Sequence, residues 1–168
     1  MNVWCHIGQF QTLIVGGLGF TGVIATLAMN AWLARRQYAR QVKHERTVVR
    51  VALRAELQAI AEAYRDRIAT LDNPGSYGGV RLSLDTMTDV YKSVIQRLGL
   101  LSEAEVRVVL RAYLLAQQLP ERVTMLPGAK EGEPGFVWVP GQSFAPLKQL
   151  HQNYLKDIDQ AIAAIASD

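Results

Sequence analysis

The sequence predicts an all-α protein: a single N-terminal transmembrane helix continuing into a small cytoplasmic helical bundle. Three observations predict it. Ile7 through Ala34 carry no charged side chain, whereas seven Lys or Arg fall within the next twenty residues. No Pro or Gly interrupts the chain between Ala25 and Asn73. Beyond that point, apolar residues recur three and four apart in three further segments.

The first element is the membrane span, expected over residues 11–34 after a short extracytoplasmic N-terminus of residues 1–10. A helix needs about 20 apolar residues to cross some 30 Å of hydrocarbon, and Gln11–Ala34 meets that length with room for tilt. Nine of its residues are Leu, Ile, Val or Phe. Each of these favours insertion by roughly 0.3 to 0.6 kcal/mol. Gln11 and Asn30 sit near its ends, and Trp4 and Trp32 fall near the two interfaces, where indole rings are enriched. A cleaved signal peptide would carry basic residues ahead of the apolar run, and none of residues 1–34 is Lys or Arg. A buried soluble helix is rarely free of charge for so long. Positive residues remain on the cytoplasmic side. Arg35, Arg36, Arg40, Lys43, Arg46, Arg50 and Arg54 follow the span, so the expected setting is the inner membrane, N-terminus out and residues 35–168 cytoplasmic.

The second element is a basic juxtamembrane helix over residues 35–72. Val42, Val49, Leu53, Leu57, Ile60, Tyr64, Ile68 and Leu71 mark one apolar face. Arg46, Arg50 and Arg54 stand at i, i+4, i+8 on another face, where like charges repel by a few tenths of a kcal/mol per pair. Such a stripe calls for an anionic surface, and the seven basic residues are the expected contacts with anionic lipid. Residues 35–65 hold eight basic and three acidic groups, and residues 66–168 hold ten and twelve. The basicity therefore belongs to the juxtamembrane segment, and no groove-reading motif or aromatic-interleaved basic patch points to nucleic acid.

The remaining residues, 73–168, are expected to form a helical domain with a Pro/Gly-rich loop at 120–146. Asn73-Pro74-Gly75 ends the long helix, with a loop running through Gly78 and Gly79. Leu84, Met87, Tyr91, Val94 and Leu98 predict a second helix capped by Gly99, with Asp85 complementing its N-terminus. Asp85 and Asp89 share a face of that helix. Ser102 and Glu105 form a capping box opening a third helix, which turns Val106, Val109, Leu110 and Tyr113 inward and stops before Pro120. Pro127-Gly128, Pro134-Gly135 and Pro140-Gly141 are turn pairs. Phe136-Val137-Trp138-Val139, between the last two, reads as a short strand or as a loop pinned by Trp138. A last helix spans about Pro146–Ala166, with Leu147, Leu150, Tyr154, Ile158, Ile162 and Ile165 as its stripe. Short connections favour an up-and-down bundle.

Chemistry-bearing motifs are absent. Cys5 is the only cysteine, which excludes an intramolecular disulfide and a cysteine-based zinc site. His6, His44 and His151 have no metal-ligand spacing, and His151 reads as a boundary residue beside the last stripe. No nucleophile elbow or catalytic carboxylate pair is recognisable, so no enzyme activity, metal or cofactor is expected. The glycines at 16, 17, 19 and 22 lack the Lys-Ser/Thr of a phosphate loop. They read better as close helix approach: Gly17, Thr21 and Ala25 form one small-residue stripe, and Gly22 and Thr26, followed by Asn30, form another. Partners are therefore expected to be membrane lipid and a second copy or another membrane protein.

The helix ALRAELQAIAEAYRDRI (Ala52 to Ile68) and the segment VYKSVIQRLGLLSEAEVRVVLRAYL (Val90 to Leu114), behind one N-terminal span, resemble a group of small uncharacterised bacterial inner-membrane proteins. The resemblance implies an inner-membrane setting and no activity or site residues. The function expected is a membrane-anchored interaction or scaffold protein, such as an accessory subunit of a membrane complex. The alternative is an oligomerising membrane effector of phage or defence type.

Overall fold

A computed structural model describes residues 3–72 and 78–166, with side chains from Phe20 onward. Helices dominate, as an all-α class requires: α1 (Val3–Asp72), α2 (Asp89–Val94), α3 (Glu103–Thr124) and α4 (Phe144–Ala166), with 3-10 turns at Ile95–Leu100 and Gly141–Ser143. Three strands accompany them, β1 (Gly79–Ser83), β2 (Lys130–Glu131) and β3 (Phe136–Pro140). The chain divides into two compact units, Met1–His44 and Glu45–Asp168.

The first unit consists of the N-terminal part of α1. From Phe20 to Tyr38 every large apolar side chain on it is exposed, including Phe20, Val23, Ile24, Leu27, Met29, Trp32 and Leu33. Among the described residues no helix is long and apolar enough to cross a membrane. Of the expected span, the part with described side chains is Phe20–Ala34, 15 residues long and shorter than the ~20 a bilayer needs.

The second unit holds the core. Val49, Leu53, Leu57, Ile60, Tyr64 and Leu71 are buried along one face of α1, as their spacing predicts. Val109, Ala112, Tyr113, Ala116, Leu119 and Val123 of α3 and Leu147, Tyr154, Ile158, Ala161 and Ile165 of α4 meet them. Side-chain pairs give the directions. Arg50 reaches Glu105, and Glu56 reaches Tyr113, so α1 and α3 run parallel. Asp72 pairs with Lys148 and Arg65 with Asp159, so α4 runs back. The up-and-down order therefore holds, and its second, descending leg is β1, α2 and the 3-10 turn.

That leg departs from expectation. No helix starts at Leu84: the chain is extended from Gly79 to Ser83, and α2 begins only at Asp89. Met87 points outward, Asp85 lies ahead of the helix, and Gly99 sits inside the 3-10 turn instead of capping. The strand forms because Leu82 and Val80 pair with Val137 and Val139 of β3, which turn both their side chains into the core. The sheet order is β1-β3-β2, antiparallel throughout. Gly128 (φ 72°) and Gly135 (φ 80°) supply the left-handed backbone of the turns flanking β2. Gly79 is required for a different reason, because the Trp138 ring lies where its Cβ would be. The strand reading of residues 136–139 is thus the observed one.

Helix α3 also runs past its expected end, through Pro120 to Thr124. Proline inside a helix forfeits one backbone hydrogen bond. Buried Leu119 and Val123, on either side of it, offset that loss by extending the apolar face one more turn. Its start is as expected: the Ser102 hydroxyl accepts from the Glu105 backbone N–H, and the Glu105 carboxylate accepts from the Ser102 backbone N–H.

Candidate functional site

In the first unit, the basic residues and the described members of the small-residue stripes are exposed. Arg35, Arg36, Arg40 and Lys43 are exposed, and the Arg36 guanidinium lies 5.3 Å from the Trp32 ring centre. That cation–π placement holds a charge beside an aromatic ring at the expected interface. Thr21, Ala25, Gly22 and Thr26 are exposed, and a Cβ added at Gly22 would meet nothing within 4 Å. The Thr26 hydroxyl donates to the Gly22 carbonyl at 2.8 Å. A hydroxyl satisfied within its own helix can enter an apolar medium without an open donor. Gly17, Cys5, His6, Trp4 and Gln11 lie outside the residues whose side chains are described, and Asn73-Pro74-Gly75 lie outside the described residues altogether.

Two of the seven basic residues have a counter-charge inside the second unit. The Glu105 carboxylate takes Arg46 at 3.1 Å and Arg50 at 2.6 Å, alongside the Ser102 hydroxyl at 2.6 Å. Burial alone would raise the Glu105 pKa. The hydrogen bonds from Ser102, Arg46 and Arg50 outweigh it and hold the carboxyl at about 2. The like-charged stripe is thus partly neutralised by the fold itself. Arg54 is exposed on the same helix and is in no ion pair among the described residues.

A second carboxylate, Glu56, joins three helices. It accepts from the backbone N–H groups of Val90 (2.7 Å) and Tyr91 (2.9 Å) and from the Tyr113 hydroxyl (2.7 Å). It therefore satisfies free donors at the start of α2, where Thr88 provides no side-chain cap. Tyr91 stacks on Tyr113 with ring centres 4.1 Å apart. Burial, then the hydrogen bond to Glu56, pushes the Tyr113 hydroxyl above its ordinary value, so it stays a donor. The sequence does carry a signal for this residue: Glu56 stands i+3 from Leu53 and i−4 from Ile60, a carboxylate on an apolar face.

His151 corrects the boundary reading, because it is fully buried. Its Nδ1 donates to the Leu147 carbonyl at 2.8 Å, and Nε2 has no partner among the described residues. Tyr64 meets the ring edge-on, with centres 5.1 Å apart. Burial, with a smaller push from Arg67, lowers its pKa to about 4 in spite of the Leu147 hydrogen bond.

One cavity stands out in this unit. About 270 Å³ in volume, it is walled by Ile60, Tyr64, Leu82, Leu84, Leu119 and Val123 among others, with Arg67 and Asp85 on its lining. Trp138 is not part of it; its ring is 43 % exposed on the outer face of the sheet. Among the described residues no group of three His, Cys, Asp or Glu is placed to hold a metal. No protein-family model, curated protein or solved structure matches this chain, so the resemblance to small bacterial inner-membrane proteins rests on its helix pattern alone.

Proposed function

We propose that the chain is a single-pass, membrane-anchored interaction module, with its N-terminus outside and its folded unit in the cytoplasm. The observation that carries this reading is the exposed apolar surface of α1. Phe20 is 68 % exposed and Leu27 63 % exposed, and between Phe20 and Leu33 the only polar side chains are Thr21, Thr26 and Asn30, with no charge among them. A helix that is apolar all round is stable only when buried in protein or lipid. The uncharged run extends back to Ile7, and basic residues begin at Arg35, as they do at a cytoplasmic membrane boundary.

The test is expression of the full chain with a C-terminal tag in a bacterial host. The protein should resist alkaline carbonate extraction. The tag should be cut by protease in inside-out vesicles and spared in spheroplasts. Release by carbonate would overturn the anchor, and the opposite protease pattern would overturn the orientation.

A further inference from the structure

The cavity between α1, α3 and the strand-to-helix segment after β1 has a half-buried cation on its wall. Arg67 is half-buried and forms no hydrogen bond or ion pair among the described residues. Of the other α1 arginines of this unit, Arg46 and Arg50 hold Glu105 and Arg65 holds Asp159, while Arg54, which has no ion pair among the described residues, is exposed to water and lines no part of the cavity. Asp85 lines the same cavity of about 270 Å³ yet does not pair with Arg67, and it is exposed to solvent. The Tyr64 hydroxyl also makes no hydrogen bond among the described residues, and burial raises its pKa, so it remains a neutral donor. The rest of the wall is largely hydrocarbon: Ile60, Leu82, Leu84, Leu119 and Val123. A partly desolvated guanidinium has a strong drive to acquire an anion, and its planar fork matches a carboxylate. Few convergent polar groups in an apolar pocket are the usual form of a small-molecule site.

We propose that this cavity binds a small organic carboxylate with an apolar body, the carboxylate held by the Arg67 guanidinium and the body seated among Ile60, Leu82, Leu119 and Val123. Size narrows the class. A 150 Å³ protein cavity accommodates benzene, so this one takes a molecule of roughly ten non-hydrogen atoms. The site is independent of the membrane reading and persists if that reading fails.

Calorimetry on the purified full chain in mild detergent, with the matched detergent buffer subtracted, tests the proposal using 3-phenylpropanoate, 3-phenylpropanamide and 3-phenylpropylamine. The acid should bind at least tenfold tighter than the amide, as a charge-assisted contact requires, and the amine should not bind. Arg67→Gln should erase the preference for acid over amide, and Arg67→Lys should retain part of it. Ala63→Phe, which fills the cavity from α1 and leaves the charge in place, should abolish binding of both. Failure of the wild type to bind the acid, equal affinity for acid and amide, or tightest binding of the amine through Asp85 would each overturn the proposal. Should Arg67→Gln melt early, Ala63→Phe decides: undiminished acid binding by that variant overturns it.

Discussion

Two buried side chains set how this protein responds to acid. The Glu105 carboxyl is held at about 2, below its ordinary 4.5, so the folded state binds fewer protons than the unfolded state between those values. Its contribution is complete above pH 4.5 and is lost as the pH falls towards 2. His151 acts higher: lowered from 6.5 to about 4, it stays neutral when folded while the unfolded chain protonates. Its contribution is complete above pH 6.5 and is lost as the pH falls towards 4. Denaturant unfolding at pH 7 and pH 5 should therefore show lower stability at pH 5. His151→Phe, which keeps a ring against Tyr64, should flatten that difference; an unchanged slope would remove His151 as its source. Glu105→Ala should cost about 1 to 3 kcal/mol at pH 7, since it removes the reciprocal cap of α3 and the anion that the partly exposed Arg46 and Arg50 share. Neither role was fully legible in the sequence. The capping box at Ser102 and Glu105 was, because it is local. The two arginines come from more than fifty residues away, and i, i+4 spacing shows that they share a face without showing what faces them.

The elements were legible in proportion to how local their causes are. The apolar faces of α1, α3 and α4 follow their periodicity, because each turn of helix repeats the same requirement. β1 was missed because Gly79–Ser83 becomes a strand through pairing with β3, a partner more than fifty residues distant. The expected second helix shrank for the same reason, with only Asp89–Val94 left helical. The sheet depends on one glycine. In Gly79→Ala the new Cβ would overlap the Trp138 ring and come within 2.7 Å of the Val139 carbonyl oxygen. That variant should lose about 1 to 3 kcal/mol in chemical denaturation and shift the Trp138 emission. Unaltered stability would show that the ring swings aside freely.

At the scale of the molecule, composition changes along the chain more sharply than its net charge of +3 suggests. Arg35, Arg36, Arg40, Lys43 and Arg54 are exposed to solvent, where an anionic surface would meet them. The fragment 35–168 should bind vesicles containing anionic lipid, weakening as salt rises, with each of the five worth about 1 kcal/mol near the surface. Binding insensitive to salt and to lipid charge would contradict this; Arg46 and Arg50, engaged by Glu105, should contribute least. The separate compactness of Glu45–Asp168 carries a further expectation: a fragment of those residues should unfold in a single cooperative transition. The Glu56 junction bears on how that transition would be seen. A six-residue helix cannot persist alone in water, so α2 exists only while α1 and α3 present Glu56 and Tyr113 to it. The amide protons of Val90 and Tyr91, bonded to Glu56, should then exchange with deuterated solvent almost as slowly as those at the centre of α3. Two protons near the start of the shortest helix would serve as a clock for the opening of the whole unit.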